Sequence, residues 1–168
     1  VFLRDKLSAS GAGSPEILRV SRHGKVEAMA ALAEIVRHTL RIGRAKEELC
    51  AVETAGFVEA NWRTTRLFQT VNHPDVPLLL YMAQGLLEHL GLPRLSEEAC
   101  SGFTFGYEGF ELPIHPRVAA FFDLPFAGEG TEYPVFGRMM TFDQYVSRYI
   151  DCRMNNLEND FLAYLQLV

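Results

Sequence analysis

Residues 66–90 read RLFQTVNHPDVPLLLYMAQGLLEHL, and more of the predicted architecture depends on this segment than on any other. Its first part, residues 66–71, is rich in β-forming side chains and predicts a short strand. Asp75 can act as the N-cap of a long helix, and Pro77 lies in the first turn, where a missing N–H does no harm. Gly91 then ends that helix. We expect its inner, apolar face to consist of Leu79, Met82, Ala83, Leu86 and Leu90.

The chain before this segment is predicted to be helical from shortly after Gly24. Apolar residues recur there on one helix face: Met29, Leu32, Ala33, Val36 and Leu40. Gly43 is expected to interrupt this helix, because glycine is a poor helix former. Thr54 can cap a second helix that carries Phe57, Val58 and Trp62.

The chain after it begins with a region in which many aromatic residues alternate with Gly and Pro, residues 101–138. We expect an ordered loop region there, with one short helix from Pro116 to Phe122. Thr141 and Gln144 have the spacing of a capping box and predict a last helix. Residues 157–168 are apolar enough to dock either on the core of this domain or on a partner chain, including a second copy.

The predicted fold class is mainly α (α+β): a helical domain with one or a few short strands and a long aromatic, Gly/Pro-rich loop region. With 168 residues, 48% of them apolar, the chain can form a single domain over residues 1–168. Residues 1–24 are expected to be a flexible N-terminal segment. Because the first residue is Val1 rather than Met, the chain is expected to be either a whole domain or a fragment of a longer two-part protein.

Composition excludes several function classes. The formal net charge of −5 disfavours binding to a phosphate backbone, so no nucleic-acid partner is expected. The longest apolar run, residues 77–83, is far shorter than the roughly 20 residues that cross a bilayer, so no membrane span is expected. Three separated cysteines, Cys50, Cys100 and Cys152, indicate buried or half-buried thiols in a reducing compartment. We therefore expect a cytoplasmic protein.

Known phosphate-loop, dinucleotide-binding, zinc-protease and nucleophile-elbow motifs are absent from the sequence, and the histidines lack metal-ligand spacing. No metal is expected. His73 differs from the other histidines, since it falls between the predicted strand and the N-terminus of a helix, where backbone N–H groups can bind an anion. An imidazole there can act as a general acid or base, and Asn72 can orient the ring or a carbonyl group. The alternative is that Asn72-His73-Pro74 forms only a turn.

Two further groups of residues are candidates for binding an anionic ligand. Asn61, Arg63 and Arg66 cluster within one or two helical turns, and His115 and Arg117 flank a proline in the aromatic region. Arginines bind phosphates and carboxylates with favourable geometry. The alternative is that they pair with acidic side chains of their own fold.

The pattern around Asn72-His73-Pro74 resembles the WcbI-type polysaccharide-biosynthesis proteins, a family to which acyl transfer in bacterial capsule assembly is ascribed. The resemblance is to the C-terminal half of these proteins and extends over roughly residues 45–150. Its core is an N-x-x-x-x-x-L-F-x-T-x-N-H-P pattern, residues 61–74, followed by the Leu-rich helix. Residues 113–119 and 141–146 also look similar. The Gly-Asn-Cys-type turn near the start of such proteins has no counterpart here.

The resemblance implies coenzyme A-dependent transfer of an acyl (acetyl) group to a sugar hydroxyl. It implies that His73 and Asn72 lie in the active site, and that coenzyme A or acetyl-CoA is the acyl donor and a carbohydrate the acceptor. Residues implied near the cofactor are Asn61, Arg63, Arg66, His115 and Arg117. Two other interpretations stay open: a non-catalytic binding or scaffold module that docks a partner through its C-terminal helix, and a helical domain in which His73 only caps a buried helix.

Overall fold

In the computed structural model of this chain, residues 29–103 and 109–154 are described. The elements in chain order are α1 (Met29–Glu47), α2 (Ala55–Asn61), α3 (Val76–His89), α4 (Glu97–Ser101), α5 (Pro116–Phe122), β1 (Glu132–Val135), β2 (Arg138–Thr141) and α6 (Phe142–Met154). The fold is therefore mainly α with a small antiparallel sheet, as predicted. The predicted flexible segment 1–24 and docking segment 157–168 lie outside the described residues. Among the described helices, none combines the length and apolar character needed to cross a bilayer.

Helices α1 and α2 pack against each other near Gly43. α1 continues through Gly43, so the predicted interruption there is wrong. A Cβ atom at Gly43 would lie 3.6 Å from the Cβ atom of Ala55, which is buried at the start of α2. The packing of the two helices offsets the low helix propensity of glycine, which is roughly 1 kcal/mol relative to alanine.

The N-terminus of α2 is capped by a residue distant in sequence. Thr54 occupies the N-cap position as predicted, but its side chain accepts no capping hydrogen bond. The Glu47 carboxylate does so instead, accepting from the backbone N–H of Thr54 at 2.8 Å and of Ala55 at 2.9 Å, and from the Thr54 hydroxyl. Burial alone would raise the pKa of Glu47, but these hydrogen bonds and the Arg44 charge outweigh it and lower the pKa below its ordinary value.

The predicted strand over residues 66–71 is not formed. Only an isolated antiparallel bridge joins Phe68 to Pro74, and the chain between them turns back on itself as a tight loop. Two backbone hydrogen bonds close this loop: Gln69 N–H donates to His73 C=O at 2.9 Å, and Asp75 N–H donates to Leu67 C=O at 2.8 Å. The bridge partner of Phe68 is only six residues further along the chain. The β-forming side chains of this segment therefore belong to a closed loop and not to a sheet.

Helix α3 begins and ends as predicted but buries a different face. Asp75 caps it and Gly91 follows it with a positive φ of 66°. Leu78 is the buried leucine, at 4% exposure, whereas Met82, Leu86 and Leu90 are 41%, 50% and 58% exposed. The predicted inner face is therefore wrong at these three positions.

Tyr81 and Gly85 are two contacts of α3 with the chain at and before α2. The Tyr81 ring stacks on Phe57 with centroids 4.2 Å apart, and its hydroxyl donates to the carbonyl of Glu53 at 3.0 Å. One turn further on, a Cβ atom at Gly85 would lie only 2.8 Å from Cγ1 of Val52. A side chain at Gly85 would therefore prevent α3 from approaching Val52 as closely as it does.

The sheet is a hairpin within a region that was predicted to lack strands. β1 and β2 pair antiparallel, Glu132 with Thr141 and Val135 with Arg138. The turn residues Phe136 and Gly137 both have positive φ, 48° and 82°, which is the backbone that two-residue hairpins need for strand twist. The predicted short helix of this region is confirmed, since α5 spans Pro116–Phe122.

The largest fully buried side chains of the described residues lie in this hairpin and in α6. Tyr133, Val135 and Cys152 have at most 1% exposure. Val135 and Met140 form a cluster with partly buried aromatic residues, namely Phe110, Phe136 and Tyr145. Burial, with neighbouring Tyr149, raises the pKa of Tyr145 to about 12. The predicted capping box at the start of α6 is confirmed, since Thr141 N–H donates to Gln144 Oε1 at 2.8 Å and Gln144 N–H to Thr141 Oγ1 at 3.3 Å.

Candidate functional site

The loop 67–75 holds His73 at the surface. Asn72 and His73 are exposed and Thr70 is half-buried, so the imidazole is accessible to a ligand rather than enclosed in apolar packing. Beneath them, Gln69 is a buried polar residue, at 8% exposure, and its Nε2 donates to Asp75 Oδ1 at 3.3 Å. The Gln69–Asp75 hydrogen bond therefore lies on the inner side of the loop, and the His73 imidazole lies on the solvent side.

A threonine hydroxyl joins the two predicted catalytic residues. Thr70 Oγ1 lies 2.5 Å from His73 Nδ1 and 3.4 Å from Asn72 Oδ1. A side chain that holds one ring nitrogen restricts the rotation of the ring and decides which nitrogen faces a substrate. Thr70 was not a predicted site residue, although the T-x-N-H spacing was visible in the sequence.

The N-terminus of α3 does not supply the anion-binding amides that the sequence suggested. Val76 N–H donates to Asp75 Oδ1 at 2.7 Å, and Pro77 has no N–H. Leu78 N–H and Leu79 N–H donate to the Asp75 carbonyl at 3.1 and 3.0 Å. The carboxylate and the backbone carbonyl of Asp75 together satisfy these N–H groups, so that part of the expectation is wrong.

Asn61, Arg63 and Arg66 diverge in the fold. Asn61 Nδ2 donates to the carbonyl of Phe57 within α2, at 2.8 Å. Arg63 is exposed, with its guanidinium 4.8 Å from the centre of the Trp62 ring. Beside it lies an open cleft of about 720 Å³ lined by Ala33, Arg63, Thr64, Phe121, Phe122, Asp123 and Pro125.

The guanidinium of Arg66 binds other groups of this chain. Its side chain is 14% exposed and forms an ion pair of 3.0 Å with Glu111. The guanidinium also donates to three backbone carbonyls at 3.1–3.2 Å, those of Phe68, Gln69 and Leu112. This is the alternative that the sequence left open, in which an arginine pairs with its own fold.

Arg66 also ties the His73 loop to the segment that leads to His115. Leu112 accepts from Arg66, and its own N–H donates to the carbonyl of Gln69 at 2.8 Å. The tertiary fold thus fixes the two histidine-bearing segments to each other through residues 69 and 112.

His115 is the N-cap of α5. Its Nδ1 accepts from the backbone N–H of Arg117 at 3.1 Å, and its ring lies 4.7 Å from that of Phe142. An open cleft of about 430 Å³ lies beside it, with His115, Arg117, Asp123 and Glu129 as its polar lining. The cleft can receive a small polar ligand, although Arg117 is accompanied there by two carboxylates.

The segment 61–74 lies within a match to a known family. The family model described as polysaccharide biosynthesis enzyme WcbI matches residues 3–95, which is more than half of the 168 residues. The chain belongs to the WcbI family. No curated protein and no solved structure matches it.

Membership of the WcbI family indicates a role in polysaccharide biosynthesis. The predicted family is confirmed, but its position along the chain is not. The resemblance was predicted over residues 45–150 and to the C-terminal half of these proteins, whereas the match lies in the N-terminal part of this chain. His73 and Arg63 fall inside the WcbI match, and His115 and Arg117 fall outside it.

The described thiols and acidic groups form no metal site. Within residues 29–103 and 109–154, no three His, Cys, Asp or Glu side chains come together as metal ligands would. Cys100 is half-buried and Cys152 is buried, as predicted, but Cys50 is exposed. Burial raises the pKa of the Cys152 thiol, which disfavours the reactive thiolate.

Proposed function

We propose that this protein transfers an acyl group from coenzyme A to a sugar hydroxyl in polysaccharide biosynthesis, with His73 as the general base. The observation that carries the proposal is the exposed His73 imidazole held by Thr70 Oγ1 at 2.5 Å, inside the segment that matches the WcbI family. A base must be oriented and accessible to take a proton from a substrate, and this ring meets both conditions.

The proposed reaction requires this loop to transfer protons and to stabilise the negative charge on the carbonyl oxygen. His73 accepts the proton of the attacking sugar hydroxyl and returns a proton to the departing thiolate, so protons balance when the ester forms and the carbon–sulfur bond breaks. Asn72 is exposed beside it, and its amide N–H₂ can donate to the carbonyl oxygen as negative charge develops there. The thioester of the acyl donor supplies the activated acyl group.

The phosphates of the donor need cationic partners at the surface. Arg63 is exposed next to an open cleft, and Arg117 lines a second one, so these two side chains are the proposed phosphate contacts. Asn61, Arg66 and His115 each use a polar group within the fold, and we assign them to supporting these surfaces. An acidic chain can bind phosphates if cations are placed locally.

A thermal-shift titration of the full chain with coenzyme A and acetyl-CoA tests the binding step. A ligand at 100 times its dissociation constant adds about 2.7 kcal/mol to the free energy of unfolding. Arg63→Gln and Arg117→Gln should reduce the shift. Absence of any shift with either compound would contradict the proposal and favour the non-catalytic binding module.

The chemical step is tested separately by following thiol release in the presence of sugar acceptors. His73→Gln should lower the rate by about 10²–10⁴-fold, the usual contribution of a general base, and should leave the coenzyme A thermal shift intact. His89→Gln is the matched control, since His89 is an exposed histidine at the end of α3. Equal rates of thiol release for the two variants would show that His73 is not the general base.

A further inference from the structure

We infer that the open cleft beside Arg63 binds the nucleotide end of the acyl donor, with Arg63 binding a phosphate and the Phe121 ring stacking on the base. The inference deepens the proposed acyl transfer, on which it rests for the identity of the donor. Nucleotide binding itself can be measured whether or not the reaction occurs.

The cleft is lined by residues of α1, of the turn after α2 and of the end of α5. Its volume of about 720 Å³ is within the usual range for a site that binds a small ligand. A smaller opening of about 220 Å³ adjoins it, because Ala33, Arg63 and Phe122 line both. The space is therefore large enough for a flat ring together with a charged group.

Three aromatic rings in contact connect the cation of this cleft to an exposed ring. The Arg63 guanidinium carbon lies 4.8 Å from the centre of the Trp62 ring, and Trp62 meets Phe122 edge to face with centroids 5.0 Å apart. Phe122 meets Phe121 in the same manner at 4.8 Å. The two middle rings are half-buried, whereas Arg63 is exposed and the Phe121 side chain is 45% exposed. The middle rings therefore support a cation at one end and an apolar surface at the other.

Arg63 differs in its partners from Arg37, which lines the adjoining opening. Arg37 is paired with Glu34, whereas Arg63 forms no ion pair with any carboxylate of residues 29–103 and 109–154. The contact with Trp62 uses the face of the guanidinium. The N–H groups lie in the plane of the guanidinium and stay available to an anion, and phosphate oxygens match this planar set of donors.

The aromatic lining distinguishes this cleft from the one beside Arg117. Phe121 and Phe122 line the Arg63 cleft, whereas no phenylalanine, tyrosine or tryptophan of the described residues lines the Arg117 cleft. Nucleobases stack on aromatic side chains. Asp123 also lines the Arg63 cleft, and its carboxylate can accept from the exocyclic amino group of a base. These features fit an adenosine phosphate, which coenzyme A carries at one end.

The fluorescence of the full chain reports on this cleft directly, because Trp62 is its only tryptophan. We expect adenosine 3′,5′-bisphosphate and coenzyme A to change the emission of Trp62. Pantetheine, which lacks the nucleotide, should leave it unchanged. Inorganic pyrophosphate should bind more weakly than the bisphosphate, since it can contact Arg63 but cannot stack on Phe121. A change with neutral sugars but not with the bisphosphate would overturn the inference and indicate an acceptor site.

Two substitutions separate the contact with the base from the contact with the phosphate, and calorimetry gives the dissociation constants. Phe121→Ala should raise the Kd of the bisphosphate about tenfold and leave that of pyrophosphate unchanged, which also shows that the variant is folded. Arg63→Gln should raise both Kd values about tenfold. Phe103→Ala changes a ring that is 42% exposed and does not line the cleft, so it is the control and should alter neither. Equal affinity of wild type and Phe121→Ala for the bisphosphate would overturn the inference.

Kinetics distinguish the inference from the proposed function. Phe121→Ala should raise the KM for acetyl-CoA more than it lowers kcat, because the base takes no part in the bond changes. If the bisphosphate binds as expected but the wild-type protein transfers no acyl group, the proposed function fails and the nucleotide subsite stands. If transfer occurs and Phe121→Ala leaves the KM for acetyl-CoA unchanged, the function stands and the inference fails.

Discussion

His73-Pro74 and His115-Pro116 are the same dipeptide at the start of two helices, yet the two imidazoles have different partners. At α5 the His115 ring itself caps the helix, through Arg117 N–H. At α3 an extra residue, Asp75, follows the proline and provides the cap. The His73 ring is thereby released from capping and held by Thr70 instead. His115 thus stabilises a helix start, whereas the Asp75 cap leaves the His73 imidazole available for the proposed chemistry.

The largest effect on stability is expected where the two histidine segments are tied together. Arg66→Met removes three hydrogen bonds to backbone carbonyls and the ion pair with Glu111, and should lower the free energy of unfolding by about 2–3 kcal/mol. Urea denaturation measures this. Arg63→Met, the same change at an exposed position, should cost about 0.5 kcal/mol or less. Similar losses for both would mean that Arg66 does not join the loops.

Removal of the α3 cap is expected to be the next most damaging change. Asp75→Ala loses the bond to Val76 N–H and leaves the Nε2 group of the buried Gln69 without its acceptor, so we expect the free energy of unfolding to fall by about 2 kcal/mol. Asp75→Asn retains a capping oxygen and should recover most of the stability. If His73 capped α3 in place of Asp75, the two variants would denature alike.

Alanine substitutions of His115 and His73 should differ in their effect on stability. His115→Ala removes an N-cap and a ring contact with Phe142, and should cost about 1 kcal/mol. His73→Ala, at an exposed loop position, should change stability by about 0.5 kcal/mol or less. Thermal unfolding of both variants checks the contrast, and a larger loss for His73→Ala would show that its role is structural.

The Glu47 cap at the start of α2 predicts that the stability of the protein depends on pH. Glu47→Gln should cost about 1 kcal/mol near neutral pH, because the amide is a weaker acceptor for Thr54 and Ala55 than the carboxylate. The folded-state pKa of Glu47 lies below its ordinary value of 4.5. The stabilisation by the ionised group is therefore fully present above 4.5 and is lost as pH falls through the folded-state pKa.

Denaturation of wild type and Glu47→Gln at a series of pH values tests this sign. The difference between them should be largest above pH 4.5 and shrink in acid. Glu48→Gln, at the exposed neighbouring position, is the control and should show little difference at either pH. A difference that grows in acid would contradict the capping role of Glu47.

The comparison of helix starts also shows which site features the sequence reveals. The family, and the proposed roles of His73 and Asn72, followed from a short pattern within residues 61–74. Thr70 belonged to the same pattern but could not be chosen, because its contact with the ring depends on how the loop closes from Phe68 to Pro74. The separation of Arg63 from Arg66 could not be foreseen either, since Arg66 is held by Glu111 and Leu112, about 45 residues away.

The sequence by itself determined the features that depend on neighbours within three or four residues. These are the Asp75 cap, the end of α3 at Gly91, helix α5 and the capping box at Thr141. Tertiary structure decided which face of α3 is buried, because Gly85 must accommodate Val52 from a distant segment. It also decided that Glu47 rather than Thr54 caps α2. The caps of α3, α5 and α6 come from residues adjacent to the helix, whereas the α2 cap, burial and distant side-chain partners depend on segments that only the folded chain brings together.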